Sequence, residues 1–357
     1  MASEIKVLVV DDSAFMRKMI SSMLDIKGIK VIDTARNGKD ALNKLKECNP
    51  DVITLDVEMP IMNGLEFLHK LMGKKPLPVI MLSSLTEKDS MTTIKALELG
   101  AVDFIPKPSG TISLDIDQIE NELIKKIKAA AKSTIKRRSI NKEGKRNNII
   151  NLKNRRKRSL KTSNIINDDE KIIVIGSSTG GPRALKSVIS KIPADFNLGI
   201  LLVQHMPAEF TKSLAKRLNR LSGLEVKEAN DGDKIKPGKV LLAPGDYHML
   251  VTKQGKIKLN KDKKVHNIRP AIDLTMESAV QQYGSGVLGV ILTGMGKDGT
   301  QGLKAIKEAG GYTIAQDKKT SVVYGMPKSA FEAGVVDSVK PLSAISSEII
   351  RLSKKIK

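Results

Sequence analysis

A serine framed by glycines follows a short apolar run near the middle of the chain. Residues 172–175 are four consecutive β-branched residues, and residues 176–180 read Gly-Ser-Ser-Thr-Gly. A Gly-x-Ser-x-Gly spacing lets a buried strand turn sharply into a helix, so that the central hydroxyl stands above the sheet as a nucleophile. The spacing selects Ser178, because Ser177 is offset by one residue. A glycine-rich phosphate loop and a plain turn are the alternatives that the motif alone leaves open.

A histidine and an aspartate follow two later apolar runs, which have the composition of further buried strands. His205 comes just after the first run, and Asp298 lies in a glycine-rich stretch after the second. Because parallel strands end at one edge of a sheet, we expect Ser178, His205 and Asp298 to share a crevice. His205 would accept the hydroxyl proton, and Asp298 would orient and stabilise the imidazolium. Backbone N–H groups of residues 294–296 could hold the oxyanion.

Other residues compete for these roles. His248 also follows a strand-like run and is the best rival as the base, whereas His69 lies in a helical pattern and His266 in a basic loop. Asp298 could instead be an acid at the start of a helix, stabilised by the helix dipole. The order serine, histidine, aspartate also differs from that of the α/β-hydrolases, so an ordinary esterase fold is not supported.

Three carboxylates follow buried strand patterns in the first part of the chain. Asp11 and Asp12 end one such pattern, and Asp56 ends another. Three nearby anions repel one another, and each pKa would be raised unless a cation joined them. Mg²⁺ suits such an oxygen site, with the backbone carbonyl of Glu58 and waters completing its shell. Acids that only cap the following helices are the alternative for each residue taken singly.

Two later strand patterns add a hydroxyl and an ammonium group to the same edge. Ser83 ends one pattern, and Lys107 follows the pattern that contains Phe104. A carboxylate, a divalent cation, a hydroxyl and a lysine are the groups that a transient aspartyl phosphate on Asp56 requires. The cation offsets the incoming charge, while Ser83 and Lys107 can bind phosphate oxygens.

In the order of these motifs, residues 5–123 closely resemble response regulator receiver domains. The resemblance implies a flavodoxin-like five-stranded fold, phosphorylation of Asp56 by a partner histidine kinase, and Mg²⁺ at the phosphorylation site. Phe104 would stand where the family carries its switch aromatic, and an ordinary core position is the alternative.

The second half resembles chemotaxis protein-glutamate methylesterases, the CheB family. The resemblance lies in residues 176–181, 204–207 and 293–299. It implies that Ser178, His205 and Asp298 form a catalytic triad. It also implies that the backbone around Met295 helps to form the oxyanion hole, with no cofactor at the hydrolytic site. Ser177 departs from the family, which usually has alanine there, and the segment between the two halves is longer and more basic than is typical.

The resemblance also implies a reaction and its regulation. Glutamate methyl esters on methyl-accepting chemotaxis receptors would be hydrolysed with release of methanol, and receptor glutamines could be deamidated. The receiver would cover the crevice until Asp56 is phosphorylated. A receptor-binding module with inert catalytic residues is an alternative, because the sequence shows no distance between Ser178 and His205.

The formal charge of +22 is concentrated in one segment. Sixteen lysines and arginines, but only one acidic residue, fall between residues 125 and 167. We therefore predict a receiver domain at 1–124, a basic disordered linker at 125–169 and a doubly wound, mostly parallel α/β methylesterase domain at 170–357. Nucleic acid is not an expected partner. A DNA-binding regulator would need a compact helical domain, whereas strands and helices alternate after the linker.

Amino-acid composition excludes further classes of protein. Aromatic residues make up 3% of the 357 residues and tryptophan is absent, so the cores must be built from aliphatic side chains and methionine. The single cysteine, Cys48, excludes an internal disulfide framework. The first residues lack a secretory pattern, and no apolar stretch reaches membrane-spanning length. We expect a cytoplasmic protein.

Overall fold

The computed structural model describes residues 4–107, 116–133 and 171–356. Its first part alternates strands and helices. The elements are β1 (Ile5–Val10), α1 (Ala14–Met23), β2 (Ile29–Ala35), α2 (Gly38–Lys44), β3 (Val52–Asp56), α3 (Gly64–Lys74), β4 (Val79–Ser83), α4 (Glu87–Leu99), β5 (Asp103–Pro106) and α5 (Ile116–Ala131). The five strands form one sheet in the order β2-β1-β3-β4-β5, and all pairs are parallel. This confirms the predicted flavodoxin-like fold.

Short polar residues cap the starts of four of these helices, in the loops that follow β1 to β4. Ser13, Asn37, Asn63 and Thr86 each accept a hydrogen bond from the backbone N–H three residues further on. Such caps satisfy N–H groups that would otherwise lack a partner at a helix start. The caps therefore determine the last residue of each loop at the carboxyl edge of the sheet. These loops carry the predicted phosphorylation site.

Helix α5 corrects the predicted domain boundary. It continues to Ala131, so the residues from 125 onward that were assigned to the linker begin as helix. Ile127 and Ala130 are fully buried in the core, and Lys126 pairs with Asp103 and Glu122. Packing of this last helical stretch outweighs its basic composition. Most of the predicted linker, residues 134–169, lies outside the described residues.

The second part contains a seven-stranded sheet. Its elements are β6 (Ile172–Ser177), α6 (Gly181–Ile189), β7 (Gly199–Gln204), α7 (Ala208–Leu221), β8 (Glu225–Glu228), β9 (Lys239–Leu242), β10 (His248–Val251), β11 (Ile257–Asn260), α8 (Ile272–Tyr283), β12 (Val287–Ile291), α9 (Thr300–Glu308), β13 (Tyr312–Gln316), α10 (Met326–Glu332), β14 (Ser338–Lys340) and α11 (Leu342–Ser353). The large sheet has the order β14-β13-β12-β6-β7-β9-β8 and is parallel throughout, while β10 and β11 form an antiparallel hairpin.

Side chains of the central strands alternate between two cores. Ile173 and Ile175 face one core with α6, α7 and α11, whereas Ile172 and Val174 face another with α8, α9 and α10. Helices thus cover both faces, as the doubly wound fold class predicted. The chain winds outward in opposite directions from β6 and β12, and ligands of open α/β sheets bind at such a reversal.

The two halves pack against each other. Helix α4 lies on α6 and α7, and the Phe104 ring of β5 contacts Phe210 of α7 at a centroid distance of 4.2 Å. The apolar cores on the facing sides form one continuous cluster. Within the described residues, no helix has both the length and the apolar character needed to cross a bilayer.

Candidate functional site

Ser178 occupies a tight turn between β6 and α6. Its backbone N–H donates to Thr293 O at 3.0 Å, which holds the turn against the loop after β12. Gly180 is the N-cap of α6 with φ +77°, and a Cβ there would lie 2.7 Å from Val322 Cβ. The glycine therefore meets both a backbone and a packing requirement. The turn leaves Ser178 partly exposed at the carboxyl edge of the sheet.

The neighbouring Ser177 has a different environment. It is fully buried, and its hydroxyl donates to Gln204 Oε1 at 2.7 Å. The Gln204 amide in turn donates to the backbone oxygens of Ser178 at 3.0 Å and His205 at 3.1 Å. One buried side chain thus ties the serine turn to the histidine loop. A Cβ on Gly181 would lie 2.0 Å from Gln204 Oε1, so the network also requires glycine at that position.

His205 follows β7 and contacts Asp298. Its Nε2 lies 2.8 Å from Asp298 Oδ2. The same carboxylate accepts backbone N–H groups from Ile272 at 2.7 Å, Asp273 at 3.1 Å and Gly299 at 3.0 Å. Burial alone would raise the pKa of Asp298, but His205 and the backbone donors bring it below its ordinary value. Asp298 is therefore an anion that accepts the Nε2 proton, and Nδ1 of His205 is left as the basic nitrogen.

Asp298 also acts as an acid at the start of a helix, but at a different helix from the one predicted. Its carboxylate binds the first N–H groups of α8 rather than the helix α9 that follows it in sequence. The interaction with the helix dipole adds to the contact with His205 and does not replace it. Asp298, which follows β12, thus contacts both the start of α8 and His205 after β7.

Asp273 is a second buried carboxyl group directly behind Asp298. Its Oδ1 accepts the Gly302 N–H at 2.8 Å. Burial and the negative charge of Asp298 raise the pKa of Asp273 to about 7. At neutral pH and below, Asp273 can hold a proton and share it with Asp298 through a hydrogen bond. It would then support the carboxylate that orients His205.

Replacing Asp273 with asparagine is expected to flatten the pH dependence of stability. Between pH 3.8 and about 7 the folded state holds a proton that the unfolded state releases, so stability falls as pH rises. Asparagine keeps a donor for Asp298 and an acceptor for Gly302 but does not titrate. The melting temperature of Asp273→Asn should decline less than that of the wild type between about pH 5 and about pH 8. A difference in melting temperature between Asp273→Asn and the wild type that stays the same at every pH would contradict this assignment.

The other three histidines lie in different environments. Both ring nitrogens of buried His248 bind the backbone, because Nδ1 accepts the Ala271 N–H at 3.2 Å and Nε2 donates to Lys263 O at 3.2 Å. His248 therefore has no free nitrogen to act as the base. His69 lies on α3 of the other domain, and His266 is exposed in the loop after β11. His205 is the histidine that contacts Asp298.

The loop after β12 supplies an available N–H group beside Ser178. A Cβ on Gly294 would lie 2.8 Å from Ser178 Cβ, so the two segments are in close contact. The Gly294 N–H donates to Val323 O. In the described part of the chain, the Met295 N–H has no hydrogen-bond acceptor. This is the property that an oxyanion donor needs before substrate binds.

At the carboxyl edge of the first sheet, the structure brings three predicted acids together. Carboxylate oxygens of Asp11, Asp12 and Asp56 lie within 4.8 Å of one another. Lys107 Nζ lies 2.8 Å from Asp56 Oδ1 and 2.9 Å from Asp11 Oδ2. Asp11 Oδ2 is buried, and its contact with Lys107 lacks hydrogen-bond geometry. A carboxylate cluster with an unsatisfied oxygen fits a hard divalent cation such as Mg²⁺.

The remaining predicted residues of this domain are placed differently. Burial raises the pKa of Asp56 to about 6, although Lys107 opposes the shift. The Ser83 hydroxyl accepts from Thr93 Oγ1 at 2.8 Å and donates to Ser84 O at 3.2 Å. The carboxylate of Glu58 forms an exposed ion pair with Lys88, 2.5 Å away. The predicted metal contact from the Glu58 backbone carbonyl stays a prediction.

The domain contact extends to the residue beside Ser178. Thr179 Oγ1 donates a hydrogen bond to Asp103 of β5. Phe104, the next residue, is buried against α7, and Lys126 Nζ lies 5.3 Å from its ring centroid. Phe104 therefore lies at the boundary between the domains rather than inside one core.

Sequence reasoning missed the residues that support these groups. Gln204 stands beside His205, and nothing in the sequence marks it as the residue that joins the two loops. Asp273 follows a proline at a helix start, where an acid is commonplace and carries no special signal. Asp103 did leave a signal, because a charged residue interrupts an otherwise apolar strand pattern. Asp103 pairs with Lys126 of its own domain, whereas Thr179, which donates to it from the other domain, lies 76 residues away.

Known proteins match both halves of the chain. The CheB methylesterase family profile matches residues 173–349, and the response regulator receiver domain profile matches residues 7–116. A protein-glutamate methylesterase/protein-glutamine glutaminase of Pyrococcus horikoshii is 48% identical over 98% of this chain and 94% of its own length. The protein of the same name from Thermotoga maritima is 47% identical over 98% of each chain.

A solved structure matches the second half. The Thermotoga maritima CheB methylesterase catalytic domain is 52% identical, with a TM-score of 0.50, and the match covers 51% of this chain and 98% of that domain. The alignments with the two full-length relatives cover 98% of this chain and so span both of its matched regions. The chain belongs to the CheB methylesterase family, with a response regulator receiver domain preceding the catalytic domain.

Proposed function

We propose that this enzyme hydrolyses glutamate γ-methyl esters on methyl-accepting chemotaxis receptors, with release of methanol. The 2.8 Å contact between His205 Nε2 and Asp298 Oδ2, beside the turn that carries Ser178, supports the proposal most directly. The names of the relatives supply protein glutamate esters and protein glutamines as substrates, and the receptors are the finer part of the proposal. Deamidation of receptor glutamines would use the same attack, with ammonia leaving in place of methanol.

The proposed reaction proceeds through an acyl-enzyme. Ser178 Oγ attacks the ester carbonyl carbon while its proton passes to Nδ1 of His205, and Asp298 stabilises the imidazolium. The backbone N–H of Met295 donates to the oxyanion, and such a donor is worth about 3 kcal/mol. His205 then protonates the leaving oxygen, and methanol departs. Water attacks the acyl group, gives its proton to His205, and glutamate is released as Ser178 regains a proton.

In this proposal the receiver restrains the catalytic domain. Asp103 holds Thr179, which is adjacent to the nucleophile, while α4 covers α6 and α7. The same strand, β5, leads directly to Lys107, which contacts Asp56. Only three residues therefore lie between Lys107, which contacts the phosphorylation site, and Asp103, which contacts the nucleophile turn. A phosphoryl group that repositions Lys107 would act on the restraint through this short connection.

Phosphorylation of Asp56 by a chemotaxis histidine kinase is the proposed signal. Asp11, Asp12 and Asp56 would hold Mg²⁺, which offsets the charge of the phosphoryl group when bound. To donate to a phosphate oxygen, the Ser83 hydroxyl would have to give up its bond to Ser84 O, while it could still accept from Thr93 of α4. Thr93 would then link the reoriented hydroxyl to α4, the helix that lies on the catalytic domain. The proposal places the enzyme in the cytoplasm with its kinase.

Three exposed apolar side chains mark the surface that a kinase would approach. Phe15, Ile61 and Leu85 are 73%, 77% and 45% exposed and lie in or beside the loops after β1, β3 and β4. These loops surround Asp56. Exposed apolar groups around a site commonly contact a partner protein.

Weakening the domain contact should activate the enzyme without a phosphodonor. Arg217 of α7 donates to Glu98 of α4 through two hydrogen bonds of 2.9 and 2.8 Å. Because a partly exposed ion pair contributes modestly, Arg217→Ala should raise basal hydrolysis about two- to fivefold. Lys239→Ala is the matched control, since it removes a surface ion pair with Glu225 inside the catalytic domain. Equal initial rates for both variants would argue against restraint by the receiver.

Methanol release from membranes that contain methylated receptors tests the proposed reaction. The full chain should release methanol, and a small-molecule phosphodonor with Mg²⁺ should increase the rate. A chain that binds these membranes but releases neither methanol nor ammonia would instead be a receptor-binding module.

A further inference from the structure

We propose that residues 253–269, here called the basic surface, bind an acidic stretch of the protein substrate next to the reactive ester. The proposal rests on the proposed function, because it concerns how the same catalytic site selects its substrate. The basic surface comprises the end of the β10–β11 hairpin and the loop that leads to α8. It belongs to the catalytic domain and is separate from the basic linker.

Its charge is strongly one-sided. The basic surface contains seven lysines and arginines, and Asp262 is the only acidic residue among its 17 residues. Lys258, Lys261, Lys263 and Lys264 are exposed. Basic groups placed close together on a protein surface attract acidic partners and increase the rate of encounter.

The basic surface adjoins both the base and the acid of the candidate site. Arg269 lies three residues before Ile272, whose N–H donates to Asp298 Oδ2 at 2.7 Å. On the other side, Arg269 donates to Asp246, and the adjacent Gly245 packs on the loop that follows His205, where a Cβ on Gly245 would lie only 2.3 Å from Ala208 N. A substrate segment next to an ester at Ser178 would therefore lie within reach of these cations.

Several contacts hold the basic surface in place. Arg269 donates to Lys261 O at 2.7 Å, to Asp262 O at 2.8 Å and to Asp246 Oδ1 at 2.7 Å. Lys261 Nζ lies 4.7 Å from the Tyr247 ring centroid. Arg269 largely offsets the charge of Asp246, the acid that faces the loop. A loop held in one conformation loses less conformational entropy on binding than a mobile one.

The receiver leaves this surface accessible. The domain contact involves α4 and β5 of the receiver with α6, α7 and Thr179, whereas the lysines of the basic surface are exposed with both domains in place. Binding of an acidic segment should therefore precede and not require phosphorylation. This separates substrate binding from activation of the nucleophile.

Two peptides test the inference. Each carries one glutamate γ-methyl ester, flanked by glutamates in one peptide and by serines in the other. The full chain, activated with a phosphodonor, should show a kcat/KM about tenfold higher for the acidic peptide at low salt, mainly through KM. The preference should disappear at high salt, because exposed charges are screened. An acidic peptide with alanine in place of the ester should bind the full chain with the same affinity in the presence and in the absence of the phosphodonor.

Charge reversal locates the effect. Lys263→Glu together with Lys264→Glu should lower kcat/KM for the acidic peptide to the value for the serine-flanked peptide or below it. Lys354→Glu with Lys355→Glu is the matched control, since these exposed lysines follow α11, which packs on α6, β13 and β14. That control should keep the preference.

The outcomes separate the two proposals. Equal kcat/KM values for the two peptides in the wild type, or a preference that survives reversal at Lys263 and Lys264, would overturn the inference while hydrolysis itself still supports the function. If duplex DNA displaced both peptides and the enzyme showed no preference between the peptides, the basic surface would bind polyanions non-specifically. That result would also overturn the inference. Hydrolysis of neither peptide nor methylated receptors would refute the proposed function.

Discussion

Replacing Ser178 with alanine is expected to lower methyl ester hydrolysis by about 10⁴-fold or more, because the acyl-enzyme can no longer form. The fold should be unaffected, since the partly exposed hydroxyl is not part of the buried network around Gln204. Methanol release at saturating phosphodonor measures the loss. The melting temperature, measured in parallel, shows that the variant is folded.

Ser177→Ala is the matched control, because it removes the adjacent hydroxyl. It would leave Gln204 Oε1 without its 2.7 Å donor and loosen the amide that holds the Ser178 and His205 backbones. We expect hydrolysis to fall by about tenfold, in line with the loss of one buried hydrogen bond. Hydrolysis retained by Ser178→Ala but lost in Ser177→Ala would reverse the assignment of the nucleophile.

Replacing Asp56 with asparagine is expected to abolish stimulation by a phosphodonor while preserving basal hydrolysis. The amide has nearly the same shape and can still accept from the Val57 N–H, but it cannot form an acyl phosphate. A complete change from 1% to 99% of the active state would need about 5.5 kcal/mol, so stimulation of the wild type should be graded rather than complete. The measurement is the ratio of initial rates with and without phosphodonor.

The combined variant Asp56→Asn/Arg217→Ala separates signalling from restraint. It should keep the raised basal rate expected of Arg217→Ala and still ignore the phosphodonor. Stimulation that persists in Asp56→Asn would place the phosphorylated group elsewhere. A double variant with only the wild-type basal rate would show that the Glu98 contact does not restrain the catalytic domain.

Strand periodicity and strand-end chemistry made much of this molecule predictable. Apolar runs ending in Asp56, Ser178 and His205 indicated parallel strands, and parallel strands necessarily deliver their following residues to one edge. For that reason the fold class was confirmed, and Asp298 could be paired with His205 across a separation of 93 residues.

The supporting contacts were not predictable because they depend on side-chain packing between distant segments. Nothing local distinguishes Asp273 from an ordinary helix-start acid, and its raised pKa arises only when α8 packs beside Asp298. The helical residues 125–131 were misassigned because their basic composition concealed the buried positions Ile127 and Ala130. Composition counts solvent-facing and buried residues alike, whereas the buried residues determine whether a helix continues.

The apolar cluster shared by the two domains has a thermodynamic consequence. While Phe104 lies against Phe210, melting of either domain exposes apolar surface of the other, so resting enzyme should melt in a single cooperative step. Separation of the domains would expose this surface to water at a cost that scales with its area. The active enzyme would then be the less heat-resistant and more aggregation-prone form, and prolonged signalling would shorten the lifetime of the molecule that carries it.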